Sequence, residues 1–372
     1  MDTETVRWLY LEAGRAGFAQ VVVWGGEPLM RDDLPEVLRV ARGAGLFTTL
    51  ISNGWLLEAR WPELRGRVDA LILSLDEVGP AHDRLRGLPG LFERLEAFVD
   101  GLRGDPLRPT LLVNAVLSRE NRGALPRVAE VARRWGAGLY VCPMETGEMT
   151  SSGFASLLPD EALAPDELRE AAREARRLKD AGFPILDTHA YLDLVARDPG
   201  ITGYTCRAPH AVLTVQPDGV IRDCVRRDQM LADVRQLRAA RLGLDAVFSL
   251  PRYRRMLSEA AACAACNNPD VVELSWLWDL RPVMLRKVLQ LTARLAPGRY
   301  AQGARVARRP PSTALDGTAT PPGHGWVRRE GAAPWHFRSA PGERPPSTSA
   351  TRSSPVGGPS PRTTSPTLRP ST

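Results

Sequence analysis

Through the first 145 or so residues, short apolar runs of strand length alternate with amphipathic stretches of helical length, and this rhythm narrows the possible folds more than any other feature. Ala19 to Trp24 reads as a buried strand, Leu34 to Ala44 as a helix, and Thr48 to Ser52 as the next strand. The pattern repeats with a strand at Ala70 to Leu75, a helix near Leu91 to Leu102, a strand at Thr110 to Val116, a helix near Leu125 to Trp135 and a strand at Gly138 to Val141. The strands are continuously apolar rather than alternating, which means that both faces are covered. The expected fold is α/β, a parallel sheet with helices packed on it, either open or curled toward a barrel. Ligands of such sheets sit at the carboxyl ends of the strands. Glu4 to Ala16 already reads as a helix, and the strand that should precede it is absent, so the first repeat looks beheaded.

After about residue 150 the rhythm changes. A Glu/Arg-rich helix from Asp166 to Ala181 leads to Cys206, a hairpin-like stretch around Pro217-Asp218-Gly219, and Cys263 with Cys266, together reading as a second, smaller unit. Arg281 to Leu295 forms a helical pattern, with Pro282 suited to its first turn and Leu285, Val288, Leu291 and Leu295 on one face. It reads as a docking helix, with a membrane-surface helix as the alternative. From Gly303 onward, 70 residues hold 13 Pro and 18 Ser or Thr with very few large aliphatics, a composition that cannot offset the entropy of ordering. That tail is expected to be disordered.

Charge and hydropathy exclude several classes of function. The net charge of +6 is a property of the tail, whose ten Arg and three acids give +7 and leave −1 for everything before it. No nucleic-acid face is therefore expected in the folded part. No run of eighteen apolar residues exists, and Met1-Asp-Thr-Glu4 is polar, so neither a membrane span nor a signal peptide is supported and a cytoplasmic address is expected.

The strand ends carry the chemistry. Trp24-Gly-Gly-Glu-Pro-Leu-Met30 follows the first strand directly: Gly25 and Gly26 let a ligand approach the backbone, Glu27 sets a carboxylate suited to an ammonium beside them, and Pro28 stiffens the exit. The next strands end in Ser52-Asn53-Gly54 and Ser74-Leu-Asp76, and Asn114 lies within the fourth. Each is an ordinary turn residue taken singly; four polar ends at one edge of a sheet are a site. Of five cysteines, four form a pattern: Cys206, twelve residues, Gly219, four residues, Cys224, and then Cys263-Ala-Ala-Cys266. Such a set holds either tetrahedral zinc or an iron–sulfur cluster. Cys142, at a strand end, reads as a core thiol, and His189 and His210 as core or surface histidines.

Gly25-Gly-Glu-Pro28, Ser52-Asn-Gly54 and Ser74-Leu-Asp76 leading to His82-Asp-Arg-Leu-Arg-Gly87 resemble, in order and spacing, the radical S-adenosylmethionine enzymes over roughly residues 1 to 145. The cysteine pattern from Cys206 to Cys266 is similar to the auxiliary-cluster extension of that superfamily known as SPASM or twitch, and nearer the short twitch form. The resemblance implies a partial (β/α)6 barrel lacking its first strand over 1–150, a connecting helical region over 151–200, a small α+β twitch- or SPASM-like domain over 201–272, a helix over 273–298 and the tail over 299–372. It implies S-adenosylmethionine as cofactor, with Gly25, Gly26 and Glu27 at the methionyl ammonium and Pro28 shaping the turn. Ser52, Asn53, Ser74 and Asp76 would lie along the methionyl and ribose side, Asn114 at the ribose and Arg86 at the carboxylate. Cys206, Cys224, Cys263 and Cys266 would hold an auxiliary [4Fe-4S] cluster with no open site.

The family's chemistry splits S-adenosylmethionine to a 5′-deoxyadenosyl radical that abstracts a substrate hydrogen. The auxiliary cluster points to oxidation or to modification of a peptide or small molecule, with a reducing donor such as flavodoxin or ferredoxin. The chain departs from the family in one respect: it has no Cys-x3-Cys-x2-Cys to hold the cofactor-binding [4Fe-4S] cluster. Its first helix begins where the family's does, so the motif is expected upstream of Met1, through a truncated or mis-started reading frame. As written, the polypeptide should not cleave S-adenosylmethionine. The rival reading is a degenerate, non-catalytic binding protein whose four cysteines hold a structural metal.

Overall fold

The computed structural model describes residues 1–144, 159–201, 203–222, 224, 229–263 and 266–294. The expected tail lies outside these residues. Helix α1 (Thr3–Arg15), capped by the Asp2 carboxylate on the Thr5 N–H, leads into strand β1 (Gln20–Val23). The pattern then runs α2 (Leu34–Gly43), β2 (Phe47–Ser52), α3 (Leu57–Leu64), β3 (Ala70–Ser74), α4 (Pro80–Arg86), α5 (Leu91–Gly101), β4 (Thr110–Leu117), α6 (Leu125–Trp135) and β5 (Gly138–Pro143). The five strands are parallel and lie side by side in chain order. This is the α/β architecture expected from the apolar rhythm. Helices α3 and α4 are short and lie where the hydropathy pattern carried no strong period.

Register assigns the side chains to two faces, because residues paired across a parallel sheet point the same way. One face carries Leu50, Leu71, Leu73, Val113 and Leu139, all completely buried under the helices. Burying each of these large aliphatics contributes about 2 kcal/mol. Helix α2 answers with Leu34, Val37, Leu38 and Ala41, and α6 with Leu125, Val128, Ala129, Ala132 and Trp135. The other, inner face carries Ala70, Ile72 and Leu112, packed with Phe47, Tyr140 and Leu186. Above this apolar layer, toward the carboxyl ends, come Ser74, Asn114 and Tyr140 in one register row.

The two edges of the sheet differ. Among the described residues β1 has no partner on its outer side, and Val22 and Trp24 are about half exposed there. Beside β5, residues 184–186 form a rudimentary extra rung: Leu139 N–H donates to the Pro184 carbonyl and Leu186 N–H to the Leu139 carbonyl, both at 2.8 Å.

Beyond the sheet come α7 (Pro165–Asp180), α8 (His189–Arg197), α9 (Ala208–Ala211), a small antiparallel sheet of β6 (Thr214–Val215), β7 (Val220–Arg222) and β8 (Met230–Asp233), then α10 (Val234–Ala239), α11 (Pro251–Ala261), α12 (Pro269–Trp278) and α13 (Pro282–Arg294). The hairpin expected at Pro217-Asp218-Gly219 joins β6 to β7, with Gly219 at φ 89° and the Asp218 carboxylate accepting the Val220 N–H. The four-cysteine region shares its core with the parallel sheet: Ile221, Leu231, Val234 and Val272 are buried in the same cluster as Leu50 and Leu73.

Helix α13 corrects the expected docking face. It buries Met284 and Lys287 and leaves Leu285 and Val288 exposed; the Leu291 side chain and Leu295 lie outside what is described. The lysine stem packs inward because its ammonium has a buried partner, which an apolar periodicity cannot reveal.

Candidate functional site

Glu27 binds the ends of β1 and β2 together. Its Oε1 accepts the Leu29 N–H at 3.1 Å and the Ser52 hydroxyl at 2.9 Å, and its Oε2 accepts the Asn53 N–H at 2.9 Å. Ser52 lies on the helix-covered face and in turn accepts the Gly54 N–H at 2.9 Å; Asn53 Oδ1 accepts the Trp55 N–H at 2.8 Å. The carboxylate fixes the local backbone, while Gly25 and Gly26 stay open: a Cβ on either meets nothing within 4 Å. Gly25 sits at φ 141°, where an L side chain is disfavoured. Pro28 starts a single 3-10 turn, Pro28–Met30, that carries the chain away from the strand end.

Gly54 is required by its turn. Its φ is 91°, and a Cβ there would lie 2.2 Å from Leu95 Cδ2. Gly54→Ala combines backbone strain with overpacking and is expected to cost about 2–4 kcal/mol. A fall in the denaturant midpoint with an unchanged m-value tests this; an unchanged midpoint refutes it.

Asp76, just past β3, joins three elements. Oδ1 accepts the Val116 N–H at 2.9 Å, Oδ2 lies 2.6 Å from Arg86 Nη2, and the Asp76 carbonyl accepts Asn121 Nδ2 at 2.8 Å. Arg86, expected at a ligand carboxylate, therefore has one arm on Asp76, and its buried Nε has no protein partner. His82 is completely buried, with Nδ1 3.4 Å from the Asp76 N–H and Nε2 unpartnered. Burial, reinforced by Arg86 and opposed by Asp76, pulls the imidazole down to about 4, so it is neutral at pH 7.

On the inner face Ser74 and Asn114 are half-buried neighbours, and the Cys142 thiol donates to Asn114 Oδ1 at 2.9 Å. Cys142 is buried, and its thiol reaches the polar row from the next register position. His189 and His210 sit elsewhere: His189 Nε2 is 2.8 Å from Asp180 Oδ1 at the surface, and His210 stacks on Trp278 with centroids 5.1 Å apart.

None of the four patterned cysteines is in a disulfide, and Cys206 and Cys266 are buried. They feel one another. Burial pushes the Cys206 thiol up, and Cys263 and Cys224 push it further; the Tyr204 phenol is raised by burial and then by Cys266, Cys206 and Cys263. Among the described residues no three His, Cys, Asp or Glu side chains gather tightly enough to hold a single metal ion.

One group escaped the sequence reading. Asp187, Glu273 and Lys287 meet in a buried cluster against Tyr140. The available signal was composition: the chain has two lysines against 47 arginines, and one of them stands in the apolar pattern of α13.

No protein-family model matches the chain. The PqqA peptide cyclase of Ruegeria pomeroyi is 33% identical over 229 residues, 60% of this chain and 59% of that protein. The PqqA peptide cyclase of Gluconobacter oxydans is 36% identical over 188 residues, 48% of this chain and 50% of that protein. The AdoMet-dependent heme synthase of Methanosarcina barkeri is 33% identical over 143 residues, 38% of this chain and 40% of that protein. The chain thus spans about 40 to 60% of the length of these curated relatives. Among solved structures, Streptococcus suis SuiB bound to its precursor peptide SuiA superposes with a TM-score of 0.52 at 16% identity, over 69% of this chain and 60% of that one. SuiB bound to S-adenosylmethionine gives 0.51 at 15%. These likenesses are to the fold, the helix-covered parallel sheet. Together the sequence relatives and the shared fold support the resemblance to the radical S-adenosylmethionine superfamily.

Proposed function

We propose that this chain is the main part of a peptide-modifying radical S-adenosylmethionine enzyme that carries an auxiliary iron–sulfur cluster. The observation that carries the reading is the row of open backbone and polar groups at the strand ends: Gly25 and Gly26 without obstruction, and Ser74 and Asn114 side by side on the inner face. Gly25 and Gly26 leave room for the methionyl ammonium, Ser74 and Asn114 face the ribose side, and Arg86 keeps guanidinium N–H groups for a carboxylate. Glu27, Ser52, Asn53 and Asp76 hold the backbone on which those contacts depend. The peptide class of substrate rests on the cyclase relatives and on SuiB with its precursor peptide. A flavodoxin or ferredoxin is the proposed donor.

Cys206, Cys224, Cys263 and Cys266 fit a four-thiolate cluster, since Cys206, Cys263 and Cys266 all act on Tyr204, and Cys224 and Cys263 both act on Cys206. When bound, such a cluster supplies one-electron transfer without an open iron site. The residues do not fit the family's other cluster, because the 372 residues contain no Cys-x3-Cys-x2-Cys. The bare outer edge of β1, where the family places the strand that precedes that motif, supports an upstream source for it. The missing motif equally favours a second reading, a non-catalytic binding protein built on the same sheet. Among the described residues no helix is long and apolar enough to cross a membrane.

The nucleotide sequence over about forty codons upstream of Met1, the length of one strand and its loop, tests the first reading. The expected result is an in-frame strand followed by Cys-x3-Cys-x2-Cys, and a reconstituted extended chain holding about eight irons rather than about four. A closed frame, or one without the cysteines, gives the lead to the binding protein.

A further inference from the structure

Asp187 follows the rudimentary rung beside β5 and is completely buried. Its Oδ2 accepts the Val141 N–H at 2.9 Å, while Oδ1 is enclosed without a partner. The groups that act with it come from several neighbouring elements: Lys287 from α13, Glu273 and Asp270 from α12, Tyr191 from α8 and Tyr140 from β5, with Cys142 acting on Tyr191 in turn. Glu273, also buried, commits both oxygens, Oε1 to the Thr188 N–H at 2.7 Å and Oε2 to the Lys287 ammonium. Burial acts to lower the Lys287 value, but Glu273 overrides it and keeps the ammonium charged. One cation therefore serves two buried carboxyls, and its short contact is with Glu273.

A second carboxylate in this dry site would be an uncompensated charge. Enclosing a neutral carboxylic acid costs less than enclosing an anion, so charge balance puts a proton on Asp187. The position matters because α13 reaches the sheet here through Lys287. Lys287 Nζ stands 5.0 Å from the centroid of the Tyr140 ring, and Tyr140 shares the inner-face row with Ser74 and Asn114.

We infer that Asp187, Glu273 and Lys287 form a proton-dependent clamp that holds α12 and α13 against the outer side of β5 and fixes Tyr140 in the wall of the inner face. The clamp is closed while Asp187 keeps its proton and eased when the proton leaves. It stands independently of which ligand the inner face takes. The direction in pH follows from linkage. Burial, offset in part by Lys287 and reinforced by Glu273, raises Asp187 to about 7, whereas any opened state that hydrates it returns it to the ordinary value of 3.8. Opening is therefore hardest below that ordinary value and becomes progressively easier as pH rises to about 7, with no further change above.

Two measurements on the full chain decide it. Infrared spectroscopy is expected to show a protonated carboxyl band at about pH 6 that is lost at higher pH and absent from Asp187→Asn. Hydrogen exchange of residues 282–294, corrected for the intrinsic rate, is expected to accelerate between about pH 5 and 7 in the parent, by at most about tenfold per pH unit, and to stay flat in Asp187→Asn. Absence of the band, or the same pH dependence in both proteins, overturns the clamp. If Asp187→Asn does not fold, the isotope-edited spectrum of the parent decides alone.

Discussion

Replacing Cys263 and Cys266 with alanine is expected to strip the purified chain of its iron, from about four atoms per chain after anaerobic reconstitution to close to none. Each substitution removes one of the four proposed thiolates, and the pair share the Cys-x-x-Cys of the pattern. The two remaining thiols, Cys206 before α9 and Cys224 after β7, are too few to hold a cluster between them. Cys142→Ala serves as the control. Its thiol donates to Asn114 on the inner face of the sheet, and its removal is expected to leave iron and visible absorption unchanged. Iron that survives the double substitution would remove the auxiliary cluster from the proposal. Stoichiometric zinc in a colourless parent would do the same and would favour a structural metal.

The sheet was legible because both of its faces are covered. A strand buried on both sides reads as an unbroken apolar run, and β2, β3 and β4 appear almost residue for residue in the hydropathy pattern. Turn residues at the strand ends were legible for a related reason: Gly25, Gly54 and Gly219 sit at positive φ, and glycine at such places leaves a mark in any sequence. What the sequence could not separate is which polar end faces a ligand and which braces the backbone. Ser52 and Ser74 look alike on paper. Pairing opposite Leu73 turns Ser52 to the helix side and onto Glu27, whereas pairing opposite Asn114 turns Ser74 to the inner face. A one-residue difference in register decides the role.

The Asp187, Glu273 and Lys287 cluster was illegible for a different reason. Its members are far apart along the chain, and each in isolation resembles a surface charge. Only tertiary packing removes the water. The same applies to α13, whose buried positions follow Lys287 rather than its leucines. Asp76, His82 and Arg86 fall between these cases: the spacing marked them as a group, and only the coordinates show that Asp76 meets the other two before any ligand does.

That last arrangement carries the second large effect. Asp76→Ala is expected to destabilise the protein by about 2–4 kcal/mol, because it leaves the Arg86 guanidinium unpaired and the Val116 N–H without its acceptor. In thermal unfolding this is a fall of roughly 5 to 15 °C for a domain of this size. Arg86→Ala should cost less, since the Asp76 carboxylate keeps its backbone donor and Arg86 is more than a quarter exposed. The double substitution should cost clearly less than the sum, as expected for side chains that share one contact. The cycle also separates bracing from binding. If Arg86 serves a ligand carboxylate, Arg86→Ala weakens S-adenosylhomocysteine binding by about tenfold or more, while Arg86→Lys keeps the charge and restores part of it. Equal affinity in the parent and Arg86→Ala, with the stability cycle intact, would make the arginine a brace for Asp76 alone. Additive stability losses would mean that the ion pair contributes nothing, and the turn after β3 would then owe its shape to the Asp76 carboxylate on Val116 and to Asn121 on the Asp76 carbonyl.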